Sequence, residues 1–297
     1  MQTEHAALRS DEAGSASLSS AAQPAVHAEQ LTKRFGAFTA VDELSLTVAP
    51  GEIFGFLGAN GAGKTTAIRM FCGLIPPTSG EARVAGYDIR REAHQVKQNI
   101  GYMSQKFSLY EDLTVAQNIE FFGGIYGLSR CAIAEKSDVL LDELQLQKRR
   151  GLLTRSLPLG WKQRLALGVA MLHDPSIIFL DEPTGGVDPI SRRNFWRLIH
   201  DIAGRGKTVF VTTHYMDEAE YCGRLSIMYE GRIIEMGQPG ELKDKYGKKT
   251  MQDVFIQLVT GNGSVTGNGS VTESGAVTDS GGKRDGRDTR LTTGDAS

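Results

Sequence analysis

The sequence predicts an α/β fold: a mainly parallel sheet with flanking helices and a helical subdomain inserted into it. Three observations carry this. Short apolar runs at residues 53–57 (IFGFL) and 177–180 (IIFL) and the β-branched run at 208–213 (TVFVTT) read as strands. Segments with helical spacing alternate with them. Residues 113–170, by contrast, are helical in pattern and lack a strong strand signal.

Taken in order, the run at 53–57 leads into a Gly-rich turn and then residues 64–74, where Ile68, Phe71 and Cys72 share one helical face. Gly73 and the Pro76-Pro77 pair end that helix. Within 113–170, Leu140, Leu141 and Leu144 are helical neighbours. The run at 177–180 ends in Asp181-Glu182-Pro183. Asp188-Pro189 then reads as an N-cap followed by proline at the first helical position. It opens a helix with Phe195, Leu198, Ile199 and Ile202 on one face. Its β-branched content marks 208–213 as a strand, and residues 224–236, broken at Glu230-Gly231, read as a β-hairpin.

The flanks differ. Residues 1–28 are rich in Ala and Ser without an aromatic, which predicts a disordered N-terminal arm. GNGSVT occurs at 261–266 and again at 267–272, ESGAVT follows at 273–278, and no aromatic appears from 261 on. Such a segment cannot bury enough apolar surface to offset chain entropy, so 261–297 is expected to be a flexible, low-complexity tail, with partner binding as the alternative. Between the two lies one domain at 29–260, with the helical subdomain at about 113–170.

Composition narrows the function classes. Hydrophobic residues at 40% and charged residues at 23% suit a globular domain, and a net charge of −2 supplies no global field for nucleic acid. The three cysteines, Cys72, Cys131 and Cys222, are too dispersed for a disulfide framework or a zinc site and fit a reducing compartment. No apolar run is long enough to span a bilayer. The N-terminus carries Glu4, Asp11 and Glu12 without an apolar core, so no signal peptide is expected. Work at a membrane would therefore need a partner.

Two motifs carry the chemistry. Gly58, Ala59, Asn60, Gly61, Ala62, Gly63, Lys64 and Thr65 match the GxxxxGK[ST] phosphate loop, between a predicted strand and a predicted helix. Its glycines let successive N–H groups point inward at phosphate oxygens, and the helix start adds its positive dipole end. Lys64 is then expected to reach the β- and γ-phosphates of a nucleotide, and the Thr65 hydroxyl to ligate Mg2+. The second motif is the carboxylate pair. A buried strand delivers Asp181 to the Mg2+ shell, and on an extended chain Glu182 would point the other way, toward the attacking water as general base.

With these motifs in place, residues from about 31 to 258 resemble the ABC ATPase family, a P-loop NTPase core with an antiparallel β subdomain and a helical insertion. The resemblance implies ATP and Mg2+ as ligands and extends the site. Phe35, in TKRFG, matches the aromatic that stacks on adenine, and Thr66 closes the phosphate-binding segment. Gln105, in IGYMSQ, resembles the glutamine that senses Mg2+ and links the core to the helical subdomain. His214 resembles the switch histidine that contacts the γ-phosphate and supports Glu182 as the second catalytic residue. Gly186-Val187-Asp188 resembles the loop that crosses the dimer interface, although Asp188 serves equally as a helix N-cap. His5, His27, His94, His173 and His200 match no site.

The signature segment departs from the family pattern LSGGQ. Here it reads Ser156-Leu157-Pro158-Leu159-Gly160-Trp161-Lys162-Gln163-Arg164. Pro158 stands for the serine and Leu159 for the first glycine, leaving Gly160, with Trp161 and Gln163 completing the dimer-facing segment. Proline offers neither the hydroxyl nor a backbone N–H. A heterodimer whose partner carries a standard signature and a homodimer with two altered sites both fit. This variant, the THYMDEAE segment at 213–220 and the DVFI segment at 253–256 resemble ABC-2 type exporters.

The family implies two ATP held between two ATPase subunits, a separate transmembrane permease subunit, and a peripheral position at the cytoplasmic face of the inner membrane. Apolar residues from Phe107 to Leu113 are candidates to receive the permease, or are simply core. Two rivals are a soluble ABC ATPase outside transport and a nucleotide-binding regulator with low turnover. A single cassette and the lack of sustained heptads speak against the first; Glu182 and His214 speak against the second.

Overall fold

The computed structural model describes residues 23–106 and 108–263. In chain order the elements are β1 (Val26–Phe35), β2 (Phe38–Val48), β3 (Ile53–Gly58), α1 (Lys64–Phe71), β4 (Ser79–Val84), β5 (Tyr87–Asp88), α2 (Ala93–Asn99), β6 (Ile100–Met103), α3 (Val115–Ile125), α4 (Arg130–Glu143), α5 (Leu159–Met171), β7 (Ile177–Asp181), α6 (Pro189–Gly204), β8 (Thr208–Thr213), β9 (Arg224–Tyr229), β10 (Arg232–Gly237), α7 (Pro239–Tyr246) and α8 (Met251–Gly263).

Two sheets form. The larger has the order β10-β9-β3-β8-β7-β6, parallel except for the β9–β10 hairpin. The smaller, β2-β1-β4-β5, is antiparallel. Strands β3, β7 and β8 are buried at every residue, as central strands covered on both faces are. Phe210 of β8 is their hub: its ring lies 5.3 Å from Phe54, 5.5 Å from Phe56, 5.7 Å from Phe71 and 5.4 Å from Phe179.

Local signals fix the helix starts. Thr114 and Gln117 form a reciprocal capping box at α3, Ser129 caps α4, and Asp188 caps α6 with Pro189 at its first position. Helices α3, α4 and α5 make the inserted subdomain around their own apolar cluster, which includes Leu140, Leu141 and Leu144. Helix α1 stops at Phe71, short of residue 74, because Gly73 turns into the left-handed region at φ 63°.

The domain limits need correction. Strand β1 begins at Val26 and pairs with Val48 of β2 and Val84 of β4, so the fold starts before residue 29. Ala and His at 25–28 do not signal this, because a strand at the middle of a sheet is held by its neighbours. Helix α8 likewise runs past residue 260 to Gly263. The rest of the expected arm and tail lies outside the described residues, as does Phe107. Cys72 and Cys222 are buried and Cys131 is exposed. Among the described residues no helix is long and apolar enough to cross a membrane.

Candidate active site

The carboxyl ends of four parallel strands converge. The phosphate loop follows β3, Gln105 follows β6, Asp181 ends β7 and His214 follows β8. This is the edge of an open α/β sheet where ligands bind.

The loop is held from behind. A Cβ on Gly58 would lie 2.4 Å from the Met228 carbonyl oxygen, and one on Gly63 2.3 Å from that of Ala40, so both positions admit only glycine. Gly63 also takes φ 103° as it caps α1 without a side chain. The Gly231 amide donates to the Ala62 carbonyl at 3.1 Å, tying the loop to the β9–β10 turn. The first amides of α1, from Lys64 through Thr66, lack intrahelical acceptors by helix geometry and are available to an anion.

Lys64 is buried, and its Nζ donates to the carbonyls of Gly58 at 2.8 Å and Ala59 at 3.0 Å. Burial pushes its pKa down, opposed by Glu182 and Asp181. Asp181 Oδ1 accepts from Thr65 Oγ1 at 3.1 Å and Thr212 Oγ1 at 2.8 Å, while its Oδ2 is buried without a partner. Burial raises the Asp181 carboxyl above its ordinary range, with both hydroxyls working against the rise. An orphaned buried carboxylate oxygen beside a threonine hydroxyl fits Mg2+, which takes few protein ligands and completes its shell with water and phosphate. Among the described residues no group of three or more His, Cys, Asp or Glu could hold a metal alone.

Glu182 is where the site converges. Its Oε1 is 3.4 Å from Lys64 Nζ. Its Oε2 accepts from Gln105 Nε2 at 2.9 Å and lies 3.2 Å from His214 Nδ1, off the direction of a hydrogen bond. One expectation is corrected: Glu182 is not on extended chain. Strand β7 ends at Asp181, and Glu182 takes φ 49°, with its amide donating to Thr212 Oγ1 at 2.9 Å. The left-handed residue, not strand alternation, separates the two carboxylates. Gln105 offers a metal only its amide oxygen, since its Nε2 is given to Glu182.

Phe35 ends β1, 52% exposed, opposite the exposed Phe38. It is free to stack on a ligand, and Lys33 Nζ lies 5.1 Å from its ring.

The signature segment starts α5. Pro158 is its N-cap without a side-chain bond, and its carbonyl accepts from Trp161 and Lys162. The Trp161 ring is flanked by the guanidinium groups of Arg149 at 3.8 Å and Arg164 at 4.8 Å. Pro158, Leu159, Gly160 and Trp161 line one cavity with Gly186, Val187 and Asp188. Asp188 accepts from the Ile190 and Ser191 amides, which with the Ser191 side chain lower its pKa. Gln163 is a correction. Only 1% exposed, it lies with Ala166, Leu167 and Ala170 on the inward stripe of α5 and cannot face a partner. His173, matched to no site, stacks on Tyr126 at 3.9 Å.

Sequence reasoning missed Thr212, which bonds both the Asp181 carboxylate and the Glu182 amide. It sits in a β-branched run that reads only as strand. Glu218, fully buried just after His214, was missed as well.

A phosphate loop, a carboxylate pair and a switch histidine on this sheet, with a helical insertion, define an ATP-binding cassette. Residues 41–185 match the family described as ABC transporter. The chain is 49% identical over 239 residues to the probable multidrug ABC transporter ATP-binding protein YbhF of Escherichia coli, covering 79% of this chain and 41% of that protein. It therefore spans less than half the length of that relative. It is 40% identical over 213 residues to Nod factor export ATP-binding protein I of Cupriavidus metallidurans, covering 71% and 70% of the two chains. Among solved structures it is similar to cbiO1 of Clostridium perfringens, part of the ABC transporter complex cbiONQ, with TM-score 0.69, 26% identity, and 81% and 98% of the chains covered. The chain belongs to the ABC transporter family, as one of its ATP-binding cassettes. ATP binding and hydrolysis are characteristic of these subunits.

Proposed function

We propose that this chain hydrolyses Mg-ATP, dimerises with a second ATPase subunit around two nucleotides, and drives export through a separate membrane subunit at the cytoplasmic face of the inner membrane. The observation that carries the reading is the convergence of Lys64, Gln105 and His214 on the Glu182 carboxylate.

The steps follow from which atoms compete. The phosphates of ATP are received by the amides at the start of α1 and attract Lys64 Nζ, now shared between two carbonyls and Glu182 Oε1. Drawn toward phosphate, Lys64 releases Oε1, which then accepts the proton of the attacking water. Gln105 donates to Oε2 and His214 stands 3.2 Å from it, and the two together aim the carboxylate. Mg2+, when bound by Thr65, Asp181 and Gln105, supplies neutralisation of charge on the phosphate oxygens. Phe35 stacks on the adenine.

The cavity shared by the signature and Asp188 segments includes no phosphate-loop residue, which supports its facing a nucleotide held by another subunit. The names of the relatives support export. One observation favours a second reading, a low-turnover nucleotide-binding subunit: Pro158 brings neither hydroxyl nor N–H to that cavity. The two readings separate on Glu182→Gln. With ATP and Mg2+ it should form a stable dimer by light scattering, because trapped nucleotide holds the halves together. If the variant stays monomeric beside a silent wild type, the chain needs a second cassette with a standard signature, and the second reading is supported when the pair stays silent with that cassette present.

A further inference from the structure

Glu218 takes no part in the reaction just described, yet its side chain is 0% exposed. It lies on the six-residue 3-10 segment Met216–Tyr221, which begins two residues after His214. A buried carboxylate is costly unless its neighbours compensate it, so the identity of those neighbours indicates what it does.

They belong to the segment leading from Glu182 to Asp188 and to the helix it opens. Thr184 Oγ1 donates to Glu218 Oε1 at 2.5 Å, and Thr184 is itself buried. Arg192 Nε of α6 lies 3.3 Å from the same oxygen. The Arg192 amide donates to the Asp188 carbonyl at 3.0 Å, so this arginine belongs to the first turn that Asp188 caps. Its guanidinium stacks over the Tyr215 ring at 4.0 Å, and that ring lies 4.2 Å from the His214 imidazole. Burial raises the Glu218 carboxyl above its ordinary range, while Thr184, Thr213, Arg192 and Trp196 pull it back. Thr213 ends β8, Arg192 and Trp196 lie on α6, and Thr184 lies in the segment between β7 and α6.

We propose that Glu218 is a positioning residue: through Thr184 and Arg192 it locks the segment carrying Glu182 and Asp188 to the segment carrying His214, so that a displacement at Asp188 is passed to the contact between His214 and Glu182. This rests on the reading that Glu182 and His214 act together on ATP. In physical terms, the loop that meets the second subunit and the residue that supports water activation share one buried anchor. Contact at the first then sets the geometry of the second.

Removing Glu218 itself would take the buried carboxylate from Thr184 and leave Arg192 with Asp217 alone, at 3.5 Å, and risks the fold, so the test uses Thr184→Val, which deletes one hydroxyl, with Thr184→Ser as the conservative control. ATP turnover, nucleotide affinity and Tm are measured in the assembly in which the chain turns over ATP, each in wild-type and His214→Ala backgrounds. Thr184→Val should lower kcat by about tenfold with nucleotide affinity unchanged, and Thr184→Ser should restore it. In the His214→Ala background the same change should cost less than about twofold, because the route it acts through is already cut. An equal loss in both backgrounds, a loss of affinity instead of kcat, or no loss at all would overturn the proposal. If His214→Ala alone turns over at the wild-type rate, the reading of the site falls and this inference with it. If His214→Ala is slow and Thr184→Val is not, only the inference falls.

Discussion

Glu182 owes its direction to its own backbone as much as to its partners. A non-glycine residue at φ 49° carries strain on the order of 1–3 kcal/mol, retained here because Thr212 receives its amide and Lys64, Gln105 and His214 surround its carboxylate. Lys64 is the residue whose loss reads out most simply. Its buried ammonium now rests on two carbonyls and would exchange them for phosphate oxygens. Lys64→Ala is expected to weaken ATP binding by roughly 10- to 100-fold in a fluorescent-nucleotide titration, the worth of one or two charge-assisted hydrogen bonds. Lys64, Asp181 and Glu182 were legible in sequence because their motifs fix spacing as well as residue type. Thr212, Thr184 and Glu218 were not. A threonine in a strand and a glutamate in a polar run carry no pattern that distinguishes a buried bond from a solvated surface.

Among the elements, legibility followed burial. Strands β3 and β7 read directly as apolar runs, β8 from its β-branched content, and α6 from its Asp-Pro start. The antiparallel sheet was expected only through the family resemblance. Strand β1 shifts register three times against β2, and Gln30 takes φ 47° and Glu43 φ 50°, so the alternation that marks a half-buried strand is broken. One join between elements titrates. His173, just beyond α5, contacts the Ile100 carbonyl at the start of β6 through Nε2 at 2.9 Å and stacks on Tyr126 beside α3. A carbonyl only accepts, so Nε2 carries the proton, and Nδ1 is buried without a partner. Burial depresses its pKa below the ordinary 6.5, opposed by the Ile100 bond. The unfolded chain therefore takes up the proton first. The contribution is present above the ordinary histidine value and is lost as pH falls through the folded one. His173→Gln should lose less Tm than wild type between about pH 7.5 and about pH 5.5. Equal slopes would remove His173 as a source of acid sensitivity.

At the scale of the molecule, two sheets and an inserted helical subdomain are joined by clusters that meet on β3, β7 and β8. Phe210 packs against rings from β3, α1 and β7, the elements that carry the phosphate loop and Asp181. Phe210→Ala should cost about 3–5 kcal/mol in denaturant unfolding, with the cavity opening beneath the site rather than at its rim. Tyr110, before the helical subdomain, and Phe121 of α3 are both exposed, with rings 4.6 Å apart. The sequence foretold the insertion because its helices have their own cluster, but not that Gln163 turns inward, because the signature motif does not reveal which face of α5 meets the core. The central claim is that Glu182 hydrolyses ATP held by the phosphate loop, and its most direct test is steady-state ATP turnover by the assembled wild-type protein beside Glu182→Gln. The account predicts measurable wild-type turnover and a loss of about 100-fold or more in the variant, with ATP binding retained. Undiminished turnover in Glu182→Gln would contradict it.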